Sequence, residues 1–428
     1  MGMVQEGYLN FMCLRNSRLS FVRTITGHAS WAAEAVRGKR MRHFGHISPS
    51  VRKDLFHQEP AEFTAASPAR TLAAGLGATL YSPAIRPHLA GDIRKQAARG
   101  VVSMVLCLED SISDGEVTAG EDNLIRQFAA LDEDSAELPL LFIRVRTPEQ
   151  IPDLVRRLGG SGRHLAGFVL PKFTESRGTA FLDAVAQAEQ ASAVAPLYAM
   201  PVLETPDLLH LETRVEALAG ISRTVDRYRE RVLALRLGVT DFCSVYGLRR
   251  TPDMTAYDVK IVAGVIADVV NVLSRADGTG FTVTGPVWEY FRSQQRLFKP
   301  QLRRSPFLEE GVEELRTALI EHDLDGLLRE IELDRANGLL GKTCIHPAHV
   351  TPVHALSVVS HEEFSDAQDI LRPERGGGGV MRSAYTNKMN EVKPHRAWAE
   401  RTMLRAEVFG VAREEVGFVD LLTAGLRV

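Results

Sequence analysis

Apolar positions along the chain come in short bursts separated by longer, helix-periodic stretches. Ala78–Ala84 (ATLYSPA), Val101–Glu109 (VVSMVLCLE), Leu138–Val145 (LPLLFIRV) and Leu165–Lys172 (LAGFVLPK) are of strand length. So are Ala195–Glu204 (APLYAMPVLE), Val232–Asp241 (VLALRLGVTD), Phe281–Val287 (FTVTGPV) and Thr343–Pro347 (TCIHP). These runs are mostly apolar and β-branched, as in parallel strands covered on both faces. The segments between them are rich in Ala, Leu, Glu and Arg. A polar helix is expected near His88–Ala98 and another over Phe181–Gln190. In Ala256–Arg275, Val259, Ile261, Val262, Val265, Ile266, Val269 and Val270 recur at helical spacing. Strict β–α alternation, repeated eight times, predicts an α/β (β/α)8 TIM barrel. The competing doubly wound sheet loses support in its dinucleotide form, because no GxGxxG follows the first strand.

Two stretches exceed a minimal barrel. Phe291–Leu333 is a long charged insertion before the last strand, with a helical pattern from Glu309 to Asp334. Residues 356–428 form a C-terminal lid and helical extension, with Gly376–Gly379 as a hinge and an amphipathic helix near Trp398–Phe409. Residues 1–42 hold seven Arg and Lys against Glu6 and Glu34, without the continuous apolar core of a signal peptide. They are read as a disordered or spurious extension, since Met41 opens a more ordinary sequence. The expected division is therefore 1–42, 43–355 as the catalytic barrel, and 356–428.

Composition narrows the class. With 45% hydrophobic and 25% charged residues, the chain suits a globular enzyme. A net charge of −3 gives no electrostatic case for nucleic acid or an anionic membrane. No apolar run approaches the ~20 residues that span a bilayer. The four cysteines show no CxxC spacing, which suits reduced thiols in a cytoplasmic protein.

The chemistry collects where the apolar runs stop. Their C-terminal ends present Arg86, Glu109, Asp110, Arg144, Arg146, Lys172, Glu204, Asp241 and His346. In parallel α/β proteins this is the face that carries the active site. Glu204 and Asp241 end successive strands, and two carboxylates suit Mg²⁺, which keeps several waters and leaves room for substrate oxygens. The alternative is that each caps a helix or pairs with an arginine. Arg86 offers a planar fork for a carboxylate or enolate oxygen, or else an ion pair with Glu109 or Asp110. Those two acids suit either an outer shell around the metal or a structural pair. Lys172 suits a charge partner better than a Schiff-base nucleophile. His346 is a candidate substrate contact and equally a structural histidine.

These motifs together resemble the citrate lyase beta-chain/malyl-CoA lyase group, the HpcH/HpaI aldolase/citrate lyase family. LYSPAIRP, LCLEDSI, FIRVRT, GFVLPKF, PVLETP, LGVTDFCSVYG and GKTCIHPAHV follow the family's order over about Leu80–Val353. The resemblance implies Mg²⁺, or Mn²⁺, on Glu204 and Asp241, with Arg86 contacting the substrate carbonyl or carboxylate; Arg144, Lys172 and His346 are further substrate-binding candidates at the strand ends. It implies Claisen- or aldol-type carbon–carbon cleavage or formation on an oxo-acid or acyl-CoA thioester, in a homo-oligomer such as a trimer or hexamer. The family's lid carries an aspartate that assists proton transfer, often in a neighbouring subunit, and here Glu391 stands nearest that position. The GGGGVMRSAYTNKMNEVKPH stretch is similar to a bacterial subgroup of barrel carbon–carbon bond lyases linked to tellurium-resistance or stress gene clusters. The competing functions are an aldolase acting on a phosphorylated substrate, and a barrel without turnover that binds a metabolite or partner.

Overall fold

In the computed structural model the described residues are 40–132, 137–191, 196–291, 324–372 and 378–426. The strands are β1 (Phe56–Gln58), β2 (Ala78–Pro83), β3 (Ser103–Cys107), β4 (Leu140–Arg144), β5 (Leu165–Leu170) and β6 (Tyr198–Leu203). They continue with β7 (Arg236–Leu237), β8 (Lys342–Cys344), β9 (Val380–Arg382), β10 (Met389–Glu391) and β11 (Val411–Ala412). The helices are α1 (Pro49–Leu55), α2 (Ala69–Gly75), α3 (Leu89–Ala97), α4 (Val117–Leu131), α5 (Gln150–Leu158), α6 (Glu175–Ala191) and α7 (Leu211–Arg227). They continue with α8 (Val239–Val245), α9 (Lys260–Leu273), α10 (Asp325–Ala336), α11 (Val350–Ser357), α12 (His361–Leu371), α13 (Val392–Phe409) and α14 (Phe418–Leu426).

Seven strands lie parallel in the order β7-β6-β5-β4-β3-β2-β8. The remaining gap is closed by Val283–Gly285, which bridges Leu235 on one side and Lys342 on the other, both in parallel. The expected eight-stranded barrel is therefore present, and its seventh strand is held by single bridges.

Alternation sorts the side chains into two layers. Met104 and Leu106 point out, into the large core shared with Ile93 of α3 and Leu124 of α4. Val105, Phe142, Val169, Met200 and Val202 point in and fill the lumen with Tyr81 packed against them. Gly167 lets β5 and β6 approach, since a Cβ there would stand 1.9 Å from the Tyr198 carbonyl oxygen.

The base of the barrel, at the N-terminal ends of the strands, is plugged. Met41 and Phe63 pair in an antiparallel bridge and join the lumen core. Residues 40–42 thus belong to the fold rather than to the basic N-terminal extension; residues 1–39 lie outside the described residues. His43 stacks on Phe409 at 4.2 Å between centroids and meets His354 edge-on at 4.5 Å. His354 Nε2 in turn accepts the Ala78 amide where β2 begins, at 3.3 Å.

The C-terminal segment closes this base. β11 pairs with β1, α13 packs on α2 and α12, and α14 packs on α1 and α11. Those helices therefore do not cover the mouth as the expected lid would. The hairpin β9–β10 sits on α12, where Lys388 pairs with Glu362 at 2.5 Å and Asp366 at 2.9 Å. Of the expected hinge, Gly378 and Gly379 are described, and Gly376 and Gly377 lie outside the described residues. Likewise 292–323 of the insertion lies outside, and its far end is α10.

Candidate active site at the strand ends

Glu109, Arg144, Lys172 and Glu204 each stand at or just past the end of their own strand, and the barrel's curvature brings them together. Arg144, the last residue of β4, is the hub. One of its terminal nitrogens lies 2.6 Å from Glu109, 3.2 Å from Asp110 and 3.0 Å from Glu204. Burial works against its charge, but Glu204, Tyr81 and Glu109 outweigh that and hold its pKa above the ordinary arginine value. Its Nε is buried without a hydrogen-bond partner among the described residues.

Glu204 is 3% exposed. Its Oε1 accepts the Lys172 backbone N–H at 2.8 Å, beside the bond from Arg144. Lys172 has φ +49°, an unusual conformation for a residue with a side chain, and this turn aims its amide at the carboxylate. Burial and the neighbouring Asp241 push the Glu204 carboxyl up to about 7, against the pull of Arg144. Gly238, between β7 and α8, makes the arrangement possible. A Cβ there would lie 2.3 Å from the Glu204 Cβ and 2.5 Å from its Oε2. Asp241 follows in the first turn of α8 and is half-buried.

Lys172 Nζ is bound by Glu109 at 2.5 Å, with Asp110 at 3.8 Å. Burial lowers its pKa, and the bond to Glu109 more than restores it, so the amine stays protonated. That is the charge-partner role, not that of an amine freed for attack. Burial raises the Asp110 carboxyl to about 6, with its bond to Glu109 adding to the rise. Glu109 goes the other way: burial is outweighed by Asp110, Arg144 and Lys172.

Three expected residues stand apart from the cluster. Arg86 is at the rim and pairs with Asp92 at 2.6 Å, not with Glu109 or Asp110. His346 accepts the Ala348 amide and stacks parallel on Phe291 at 4.8 Å. Glu391 ends β10 and caps α13, whose later residues contact the base; within this chain it is not brought to the strand-end cluster.

Two contributors were given no role by the sequence argument. Arg146 fastens the loop that carries Glu109 and Asp110, donating to the carbonyls of Leu108 at 2.6 Å, Glu109 at 3.1 Å and Ile112 at 3.0 Å. Its place after the third apolar run was visible; its targets were not. Tyr81 was legible only as part of LYSPAIRP.

The two carboxylates fit a magnesium ion. No group of three His, Cys, Asp or Glu side chains able to hold a metal occurs among the described residues. Magnesium binds through one or two carboxylates and water, so Glu204 and Asp241 suffice. The bare Cα of Gly238 leaves the space that the Glu204 carboxylate needs beside Asp241. The cluster has Arg144 and Lys172 against Glu109, Asp110, Glu204 and Asp241, an excess of acid that a divalent cation offsets.

Among curated proteins no sequence matches the chain significantly. Solved structures align with it, and the first of the three named here shares its fold. A citrate lyase from Burkholderia xenovorans aligns at 17% identity and TM-score 0.55, covering 82% of this chain and 96% of that one. CitE of Mycobacterium tuberculosis, solved with magnesium, acetoacetate and coenzyme A, aligns at 19% identity and TM-score 0.48, covering 78% and 99%. Malate synthase of Haloferax volcanii aligns at 13% and 0.47, covering 64% and 72%. No described helix is long and apolar enough to cross a membrane. The match that reaches the sequence itself spans residues 70–411, from α2 to the start of β11, and on it the chain belongs to the carbon–carbon bond lyases of the TIM-barrel fold.

Proposed function

We propose that the protein is a Mg²⁺-dependent carbon–carbon lyase that makes or breaks the bond next to an enolate, on an oxo-acid or acyl-CoA-type substrate. The observation that carries this reading is the carboxylate pair at adjacent strand ends, Glu204 and Asp241, in a cluster with more acids than cations. An ion held by those two carboxylates would supply Lewis-acid stabilisation of the charge that develops on the enolate oxygen. Mn²⁺ satisfies the same donor set.

The chain's own residues do the rest. Arg144 and the Lys172 amide fix the orientation of Glu204. Glu109 holds Lys172 Nζ, so the ammonium is a fixed positive charge beside the reacting oxygens. Asp110, raised to about 6 and half open to solvent, is the carboxyl that takes or returns a proton near neutral pH. Arg86 exchanges Asp92 for a substrate carboxylate at the rim. His346 and Phe291 form a flat wall beside the end of β8. Glu391 reaches a mouth only as part of a neighbouring copy, which makes the homo-oligomer part of this reading.

Two assays test it. Glu204→Gln and Asp241→Asn each abolish Mg²⁺ binding in calorimetry; full affinity in either overturns the metal assignment. Acetyl-CoA with glyoxylate or oxaloacetate, run against pyruvate or a phosphosugar with aldehydes, identifies the substrate class. No Mg²⁺-dependent turnover or enolisation in any arm overturns the lyase reading.

A further inference from the structure

The lumen beneath the cluster is polar on one side. Arg236, on β7, is 1% exposed and reaches across to the Thr343 hydroxyl at 2.9 Å and the Thr79 hydroxyl at 3.4 Å. Its guanidinium carbon stands 5.5 Å from the centre of the Tyr81 ring. Tyr81 is an inward residue of β2, in register with Val105 of β3 and half-buried. Its ring packs on the lumen core, so its position is set from below by Arg236 and from the side by apolar neighbours.

The hydroxyl end lies on the other side of that ring. Arg144 and Glu204 both act on it electrostatically, and for Arg144 Tyr81 ranks ahead of Glu109. Yet the Tyr81 hydroxyl makes no hydrogen bond among the described residues. The hydroxyl is not sealed from solvent, so it is open to a ligand that enters the mouth. Arg144 Nε, by contrast, is buried without a partner among the described residues. Burial keeps the phenol neutral, so the hydroxyl is a donor at neutral pH.

We propose that Tyr81 is a substrate-binding residue: its hydroxyl donates a hydrogen bond to an oxygen of the oxo-acid held at Glu204 and Asp241. This rests on the lyase reading and adds to it the floor of the site. An anionic oxygen group is the ligand that the Tyr81 hydroxyl and the neighbouring Arg144 and Lys172 cations recognise. An enolate satisfies them better than the uncharged ketone does, so the contact strengthens as the carbon–carbon bond breaks.

The test uses oxalate, a planar mimic of an oxo-acid enolate, with Mg²⁺ on the full chain. Tyr81→Phe keeps the ring over Arg236 and removes only the hydroxyl. The expected result is about a tenfold to hundredfold loss of oxalate affinity, with Mg²⁺ affinity and melting temperature unchanged. In turnover the same variant lowers kcat by at least as large a factor, with a smaller change in KM. If Tyr81→Phe binds oxalate and turns over like the unmodified protein, the assignment of Tyr81 is overturned and the lyase reading stands. If the unmodified protein shows no Mg²⁺-dependent oxalate binding, the lyase reading fails and takes the assignment with it.

Discussion

Lys342 and Lys172 belong to two clusters built from the same kinds of side chain. Lys342 points outward from β8 and is gripped by Glu330 at 2.8 Å and Asp334 at 2.7 Å, while Arg250 meets Glu330 at 2.7 Å. All four are buried, and the two cations match the two acids; Glu289, at 3.7 Å from Arg250, stands at the edge. The strand-end cluster has the same two cationic centres and twice the acids, and Asp110 and Lys172 stay partly open to solvent. The first cluster is a closed account of charge and fastens α10 to the barrel wall. The second is incomplete by itself, which is how a binding site differs from a structural rivet made of the same parts.

That contrast can be broken at several points. Lys342→Met leaves two buried acids facing each other and should cost about 3–5 kcal/mol in urea unfolding. A loss below about 1 kcal/mol would show the closed cluster to be dispensable. Glu204→Gln in the open cluster should cut Mg²⁺ affinity by at least about 100-fold while leaving unfolding within about 1 kcal/mol of the unmodified protein. Equal destabilisation by both variants would erase the distinction. Gly238→Ala forces a methyl group against Glu204 and should cost about 1–3 kcal/mol together with weaker Mg²⁺ binding; a crystal structure of the variant would show Glu204 displaced.

The smallest effect separates both clusters from the base of the barrel. Burial lowers His43 to about 3 and His354 well below 6.5, so the unfolded chain binds protons more readily than the folded one. Their contribution is intact above pH 6.5 and is lost as pH falls from there toward 3. At pH 5.5 each should cost on the order of 1 kcal/mol, and His43→Phe should flatten the fall in melting temperature between pH 7 and 5. An unchanged slope would put the acid sensitivity elsewhere.

The strands were legible because six of the eight apolar runs are bounded by a charge at the C-terminal end. The repeat period also sufficed to count eight, even though the seventh carries only single bridges. Distances between strand ends were not legible, because they depend on how the sheet curls. Hence Arg144, read as one substrate-binding candidate among several, proves to be the hub, and Arg86 stands at the rim on Asp92. The φ of Lys172 has no sequence marker, since the turn is imposed by Glu204 accepting its amide. Glu391 was placed by motif spacing, and spacing says nothing of whether a segment folds over the mouth or under the base.

The single bridges of Val283–Gly285 have a kinetic consequence. The strands from β2 to β6 pair over four or five residues with each other, whereas this seam depends on a few bonds, among them Leu235 to Thr282 at 2.8 Å, Thr284 to Leu235 at 2.9 Å and Gly285 to Gly341 at 3.0 Å. The amide hydrogens of Leu235, Thr284 and Gly285 should therefore trade with deuterium ahead of those in β3 to β5. Such an exchange order would mark one line along which the barrel opens, and that line lies next to the strand that leads into Asp241.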